Sequence, residues 1–173
     1  MATINFYDPK EPFGEFSNYY PSPIIVNNFS YPTVEHFFHT QKFLGQDMTP
    51  RSQQYAGLIA SQSTPNKAKI LARQEIGGGY KWRTDLNDVI RSYPDVQIRA
   101  DWDLVKDEVM RSGVYHKFLQ NPQLWAVLNS TGDYALAEHT SRDSYWGDGG
   151  NGTGLNKLGQ ILVGVRTLLR QRT

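Results

Sequence analysis

The sequence predicts an α+β fold, a single helix-rich domain over residues 1–173 with a few short strands. Three observations predict it. Helix-starting residues recur, with Thr33, Thr64 and Asp101 each placed ahead of an apolar-periodic segment. Strand-like runs are few and short. Near the C-terminus Leu155, Leu158, Leu162, Val165 and Leu169 fall at spacings of three and four, which lays one apolar stripe along a helix. A chain of 173 residues is long enough to bury a core without metals or disulfides.

Taken in order, residues 4–7 read as a short strand, followed by the irregular, aromatic-laden loop "DPKEPFGEFSNYYPSP". In "PIIVNNFSYP" the Asn27-Asn28 pair tolerates positive φ and predicts a hairpin. Thr33 then caps a helix "VEHFFHTQKFL" that Gly45 closes. A second helix is expected around residues 53–61. Thr64 followed by Pro65 starts a third, "NKAKILARQEI", ending in Gly77-Gly78-Gly79. Asp101 caps the longest, "WDLVKDEVMRSGVYHKFLQ", and Asn121-Pro122 restarts the chain as "QLWAVLN" up to Gly132. Residues 134–138 read as a strand. In the last helix, Arg166, Arg170 and Arg172 complement the negative end of the dipole.

Composition narrows the function classes. A net charge of +1 and a pI near 7.9 give no global field toward nucleic acid or an anionic membrane, so any phosphate contact must be local. Aromatic residues at 13% suit stacking against rings. The absence of cysteine excludes disulfides, thiolate metal sites and a cysteine nucleophile, and fits a reducing compartment. His36, His39, His116 and His139 lack metalloprotease spacing, and neither a metal nor a cofactor is expected. "MATINFYDPK" has no signal-peptide character and no segment is long and apolar enough for a membrane, so a soluble intracellular protein is expected.

Two stretches carry chemistry. "SYWGDGGNGTGLNKLG" holds six of the 15 glycines. Gly147, Gly149 and Gly152 match G-x-G-x-x-G, but the polar "HTSRDSY" before them and the lack of a surrounding βαβ unit exclude a dinucleotide fingerprint. What remains is a glycine turn at a helix start, able to aim several N–H groups at an anion or a ribose hydroxyl. Trp146 and Asp148 add an aromatic face and a carboxylate. For an unaided glycine cluster a tight turn is the plainer reading.

The helix from Val34 is the second stretch. Glu35, His39 and Lys42 share one face, with Val34, Phe37, Phe38 and Leu44 on another. Glu35 and Lys42 stand about 10 Å apart by helical rise, and on an arbitrary helix such a stripe is a solvated face. Glu138 and His139 close a strand where side chains either reach a pocket or stay at the surface. Asp101 and Trp102 read as a cap and a core anchor, and Lys67, Lys69 and Arg73 as solvent-facing, with a phosphate contact the weaker reading.

Together "FGEFSNYYPSP", "YPTVEHFFHTQKF", "DWDLVKDEVM", "KFLQNPQL" and "LAEHTSRDSYWGDGGNGTGLNKLG" resemble the NADAR (YbiA-like) family over nearly the whole chain. The resemblance implies hydrolysis of an N-glycosidic bond between ribose and a base-like amine. Two substrate classes follow from it, ADP-ribose on the amino group of guanine, including DNA or RNA ends, and phosphoribosylamino-pyrimidine intermediates of riboflavin synthesis. A silent ADP-ribose reader is the third possibility. Carried over by position, the resemblance assigns Glu35 and Lys42 to catalysis. It assigns Asn18, Trp102, Glu138, Trp146, Gly147, Asp148 and Asn156 to substrate binding. Phe13, Phe16, Tyr19, Gly149 and Gly150 are expected to add stacking and backbone contacts. "HTQKF" departs from the family's "QAQKF", so His39 receives no role. Chemistry suggests Glu35 as a proton carrier and Lys42 as an amine that attacks C1 of a ring-opened ribose.

Overall fold

A computed structural model describes residues 2–77 and 83–172. Among the described residues seven helices and four short strands follow the order β1 (Thr3–Phe6), β2 (Ile24–Val26), β3 (Phe29–Tyr31), α1 (Val34–Gln41), α2 (Pro50–Ala60), α3 (Pro65–Arg73), α4 (Arg83–Arg91), α5 (Trp102–Gln120), α6 (Pro122–Ser130), β4 (Ala135–Glu138) and α7 (Lys157–Gln171). A 3₁₀ turn covers Gly14–Phe16. The fold is α+β and helix-rich, as the sequence predicts.

The strands form two separate pairs. β2 and β3 make the expected antiparallel hairpin, with Asn27 at φ 51° and Asn28 at φ 68°. The Gln120 side chain clasps it to α5, accepting from the Ile25 amide at 2.8 Å and donating to its carbonyl at 2.7 Å. β1 and β4 run parallel in register from Thr3 opposite Ala135 to Phe6 opposite Glu138. Strand β4 precedes the glycine loop as the sequence predicts, and the loop's turns come well past the strand end, so the dinucleotide fingerprint stays excluded.

The helix caps work as the side-chain chemistry dictates. Thr33, Thr49 and Thr64 accept from the amides of His36, Ser52 and Lys67. Asp101 differs, because its carboxylate turns to Arg99, 2.5 Å from Nε and 2.8 Å from Nη2, and leaves the helix amides alone. Helix α1 stops at Gln41, short of Gly45. Phe43 swings into a second apolar cluster with Tyr55, Ile59, Leu71 and Leu86, and the Lys42 carbonyl accepts from the Arg99 amide. Helix α3 ends at Arg73 with Gln74 at φ 55°, ahead of the glycine run, of which Gly78 and Gly79 lie outside the described residues.

Helix α4 has no counterpart in the expected elements. Its Leu86 and Ile90, one turn apart, are buried against the second cluster. On α7, Leu158, Leu162, Val165 and Leu169 are buried as the stripe predicts, but Leu155 precedes the helix and is 53% exposed. Arg166 is not a solvated partner of the helix dipole. It is buried, and its Nη1 donates to Thr131 Oγ1 at 2.7 Å and to the Tyr134 carbonyl at 2.9 Å. Gly159 permits α7 to lie directly on β4, since a Cβ there would stand 2.0 Å from the Leu136 carbonyl oxygen.

Candidate active site

The first turn of α1 positions Glu35. The Glu35 amide donates to the Asn18 carbonyl at 3.2 Å, so the loop bearing Asn18 and Tyr19 is fastened to the helix start. One turn later His39 places Nε2 2.7 Å from Glu35 Oε1, and both residues are buried. Burial alone would raise the Glu35 carboxyl, yet the contacts with His39 and the nearby Lys69 and Lys42 ammonium groups hold it below its ordinary value. Burial pushes His39 down. The pair is therefore an ionised carboxylate receiving the Nε2–H of a neutral imidazole, which fits the lack of a partner for the buried His39 Nδ1 among the described residues.

Lys42 sits at the end of the same helix, half-buried against aromatic rings. Its Nζ lies 5.6 Å from the Phe38 ring centroid and 5.8 Å from that of Trp102. Phe38 also packs edge-on to Trp146, with centroids 5.4 Å apart. Burial, with Arg73, Lys69 and Lys106 nearby, lowers the Lys42 ammonium to about 8 in spite of Glu35.

Glu138, at the end of β4, is the second carboxyl. Burial and then the proximity of Glu35 raise it to about 8, so it carries a proton at neutral pH. Tyr19 joins the same field, since burial and the charges of Glu35 and Glu138 all raise its hydroxyl. The fold therefore brings together Glu35, Lys42, Tyr19, Glu138, Trp102 and Trp146. Asn18 lies beside them, its Nδ2 3.3 Å from Met110 Sδ and its buried Oδ1 without a partner among the described residues.

The glycine loop does something other than expected. The Asp148 carboxylate is engaged within the loop, accepting from the Thr140 amide at 3.1 Å and the Gly150 amide at 2.8 Å and lying 2.7 Å from His139 Nδ1. The amides of Asp148, Gly149, Asn156, Lys157 and Leu158 are all bonded to carbonyls of Glu138 and of the loop itself. Donors spent in this way cannot cradle an anion, so the amides of Gly149, Gly150 and the α7 start are scaffold. Gly147 is required for close approach, since a Cβ would stand 2.7 Å from the Asp143 carbonyl oxygen. Asn156, at φ 50°, joins the helix start to β4 by donating to the Leu136 carbonyl at 2.8 Å and accepting from the Glu138 amide at 3.1 Å. The loop thus fixes where Glu138 stands.

Phe16 is likewise removed from a binding role. It is buried at 1% exposure among Phe6, Phe13 and Phe118. The resemblance gives His39 no role, and its i, i+4 spacing from Glu35 is the sequence signal for this pair. Two surface grooves lie apart from the carboxyl pair, one of about 430 Å³ beside Tyr20 and Pro122, the other of about 620 Å³ beside Met48 and Arg99. Among the described residues no group of three or more His, Asp or Glu is placed to hold a metal ion.

A charged carboxylate, a neutral carboxyl and a lysine of lowered basicity, gathered beside aromatic rings, form an acid–base site of the kind enzymes use. The chain belongs to the NADAR family, whose domain model matches residues 5–170. It is 38% identical to the N-glycosidase YbiA of Shigella boydii, over 96% of this chain and 88% of that one. It is 37% identical to a riboflavin biosynthesis protein of Vibrio vulnificus, over 97% of this chain and 39% of that longer one. The NMR structure of Escherichia coli YbiA superposes with a TM-score of 0.77 at 34% identity, covering 99% of this chain and 86% of that one. Among the described residues no helix is long and apolar enough to cross a membrane.

Proposed function

We propose that this protein is an N-glycoside hydrolase that cleaves the bond between ribose C1 and an amine, with ADP-ribose on the amino group of guanine as its substrate. The arrangement that carries the hydrolase reading is Glu35, hydrogen-bonded to His39, gathered with Glu138 and Lys42 beside the Phe38, Trp102 and Trp146 rings. Such a cleavage needs a proton donor for the sugar or leaving group, a proton acceptor, and a nucleophile at C1. Glu138 supplies the proton, Glu35 the acceptor, and Lys42 the nucleophile.

In this scheme Glu138 protonates the ring oxygen as the nitrogen lone pair opens the ribose to an imine. Neutral Lys42 adds through Nζ to C1, and a proton from Nζ passes to the original amine, which departs and leaves C1 doubly bonded to the protonated Nζ. Water adds to C1 with Glu35 accepting its proton, Glu35 returns that proton to Nζ as the C1–Nζ bond breaks, and O4′ closes onto C1 to form the hemiacetal, giving its proton back to Glu138. Trp102 and Trp146, backed by the buried Phe38, stack beside the sugar and base.

A second substrate, a phosphoribosylamino-pyrimidine, is favoured by the similarity to the riboflavin biosynthesis protein. Both are tested by incubating the wild type and Glu35→Ala with ADP-ribosylated guanine oligonucleotide and with the phosphoribosylamino-pyrimidine, measuring the released base by chromatography. Hydrolysis of the oligonucleotide, lost in Glu35→Ala, is expected. Hydrolysis of the pyrimidine alone selects the second substrate, and ADP-ribose binding without cleavage of either makes the protein a reader. Borohydride added during turnover should fix a sugar on Lys42, and an unmodified lysine would replace the imine with direct attack by water.

A further inference from the structure

Helix α3 brings one polar edge to the active site. Its core side is Ala68, Leu71 and Ala72, which pack into the second apolar cluster. Lys69 and Arg73 are four residues apart and so occupy the same stripe, one turn from each other. Lys69 is half-buried, and its ammonium acts on Glu35, His39, Lys42 and Glu138. The Arg73 guanidinium acts on Tyr19 and Lys42. Both therefore lie within electrostatic reach of the cleft, Lys69 half-buried and Arg73 exposed at its rim.

Neither cation has an ion-pair or hydrogen-bond partner among the described residues. Their neighbours do: Lys67 donates to Ser63 at 3.2 Å, and Lys106 pairs with Asp103 at 3.2 Å and lies over the Tyr145 ring. With Glu138 protonated, the site holds one ionised carboxylate, Glu35, against two basic side chains on α3, even when Lys42 is neutral. A half-buried ammonium without a counter-ion is costly, and an anionic ligand removes that cost.

From this arrangement we infer that Lys69 and Arg73 form the phosphate subsite of the active centre, binding the phosphate esterified to O5′ of the ribosyl group. The assignment rests on the N-glycoside reading above for the identity of the sugar. The O5′ phosphate projects from the edge of the ribose remote from C1. Cations on the helix next to α1, about 8–10 Å away between packed axes, lie at a suitable reach from Lys42. Arg73 supplies a planar fork for two phosphate oxygens and Lys69 a point charge.

The test measures binding and turnover separately. Calorimetric titration of the wild type with ribose 5-phosphate, ADP-ribose and unphosphorylated ribose should show binding of the phosphorylated sugars only. The stronger of the two identifies a monoester or a diphosphate as the natural group. Lys69→Gln and Arg73→Gln should each weaken that binding about 10- to 100-fold. In turnover, both should raise KM for a phosphorylated N-glycoside far more than they lower kcat. Equal binding of ribose and ribose 5-phosphate, or variants as tight as the wild type with an unchanged melting temperature, overturns the subsite. If no N-glycoside is cleaved but the variants still lose ribose 5-phosphate, the hydrolase reading falls and the subsite stands.

Discussion

His39 Nε2 and Glu35 Oε1 lie 2.7 Å apart, one helical turn along α1, in a buried setting. The imidazole is the principal group that keeps this carboxyl ionised against the cost of burial. Removing it with His39→Ala leaves the carboxylate with more distant lysines, so the Glu35 carboxyl rises and protonates at higher pH. On the acid limb, where Lys42 is already losing its neutral form, protonation of Glu35 should add a second, steeper fall that begins at higher pH than in the wild type, and activity at pH 6 should drop roughly tenfold or more below the wild type. His39→Gln, which keeps a donor, should restore part of the loss. An unmoved acid limb in His39→Ala would show that Glu35 draws its ionisation from elsewhere.

In the proposed scheme Glu138 and Lys42 set the pH optimum. The nucleophile requires Lys42 unprotonated, favoured above about 8, and the acid requires Glu138 protonated, favoured below about 8. The kcat/KM profile should therefore be bell-shaped with its maximum near pH 8, and each limb is a macroscopic property of the site. Glu138→Gln should lower kcat about 10²- to 10⁴-fold and abolish the alkaline limb. A profile whose alkaline limb survives in Glu138→Gln assigns the acid to another group.

Much of this fold is legible in local sequence because its signals are local. The Asn27-Asn28 turn, the Thr33 and Thr64 caps and the α7 stripe need only neighbouring residues. The early end of α1 does not, since it depends on Phe43 and Arg99 meeting partners distant in sequence. The same division runs through the site. Glu35 and Lys42 share a helix and can be read together, whereas Glu138 joins them only because β4 pairs with β1, and Lys69 and Arg73 only because α3 packs beside α1. The glycine loop misleads for a related reason. Its composition suits an anion cradle, but Asp148 and nearby carbonyls occupy the donors, a fact of tertiary hydrogen bonding that composition does not encode.

That occupancy makes Asp148 a structural residue. Asp148→Ala removes the acceptor for the Thr140 and Gly150 amides and the partner of His139 together. Stability should fall by about 2–4 kcal/mol, with the melting temperature dropping about 5–15 °C. Activity at a temperature well below the transition should fall mainly through misplacement of Glu138. Asp148→Asn retains the acceptor oxygen and should lose less on both counts. A Asp148→Ala variant that melts with the wild type yet fails to bind substrate would return Asp148 to the ligand.

Lys117 offers a test of the scaffold beneath the site. It is 1% exposed, and its Nζ donates to the Ser17 carbonyl at 2.9 Å, tying the loop of Asn18 and Tyr19 to α5. Burial lowers its ammonium to about 7, with Glu15 opposing weakly. The unfolded chain therefore binds more protons than the folded one between about pH 7 and 10.5. Stability from this group rises across that window and is least below it, by about 1.4 kcal/mol for each pH unit. Lys42 contributes with the same sign from about pH 8, and Glu138 with the opposite sign below about 8, so wild type alone does not isolate Lys117. Lys117→Met removes only its own titration and keeps a similar volume. In urea unfolding at pH 7, 8 and 9, the stability of wild type relative to Lys117→Met should climb steadily with pH. A difference that stays flat over that range would mean that Lys117 remains charged in the fold, with its loop held as an ion–dipole contact.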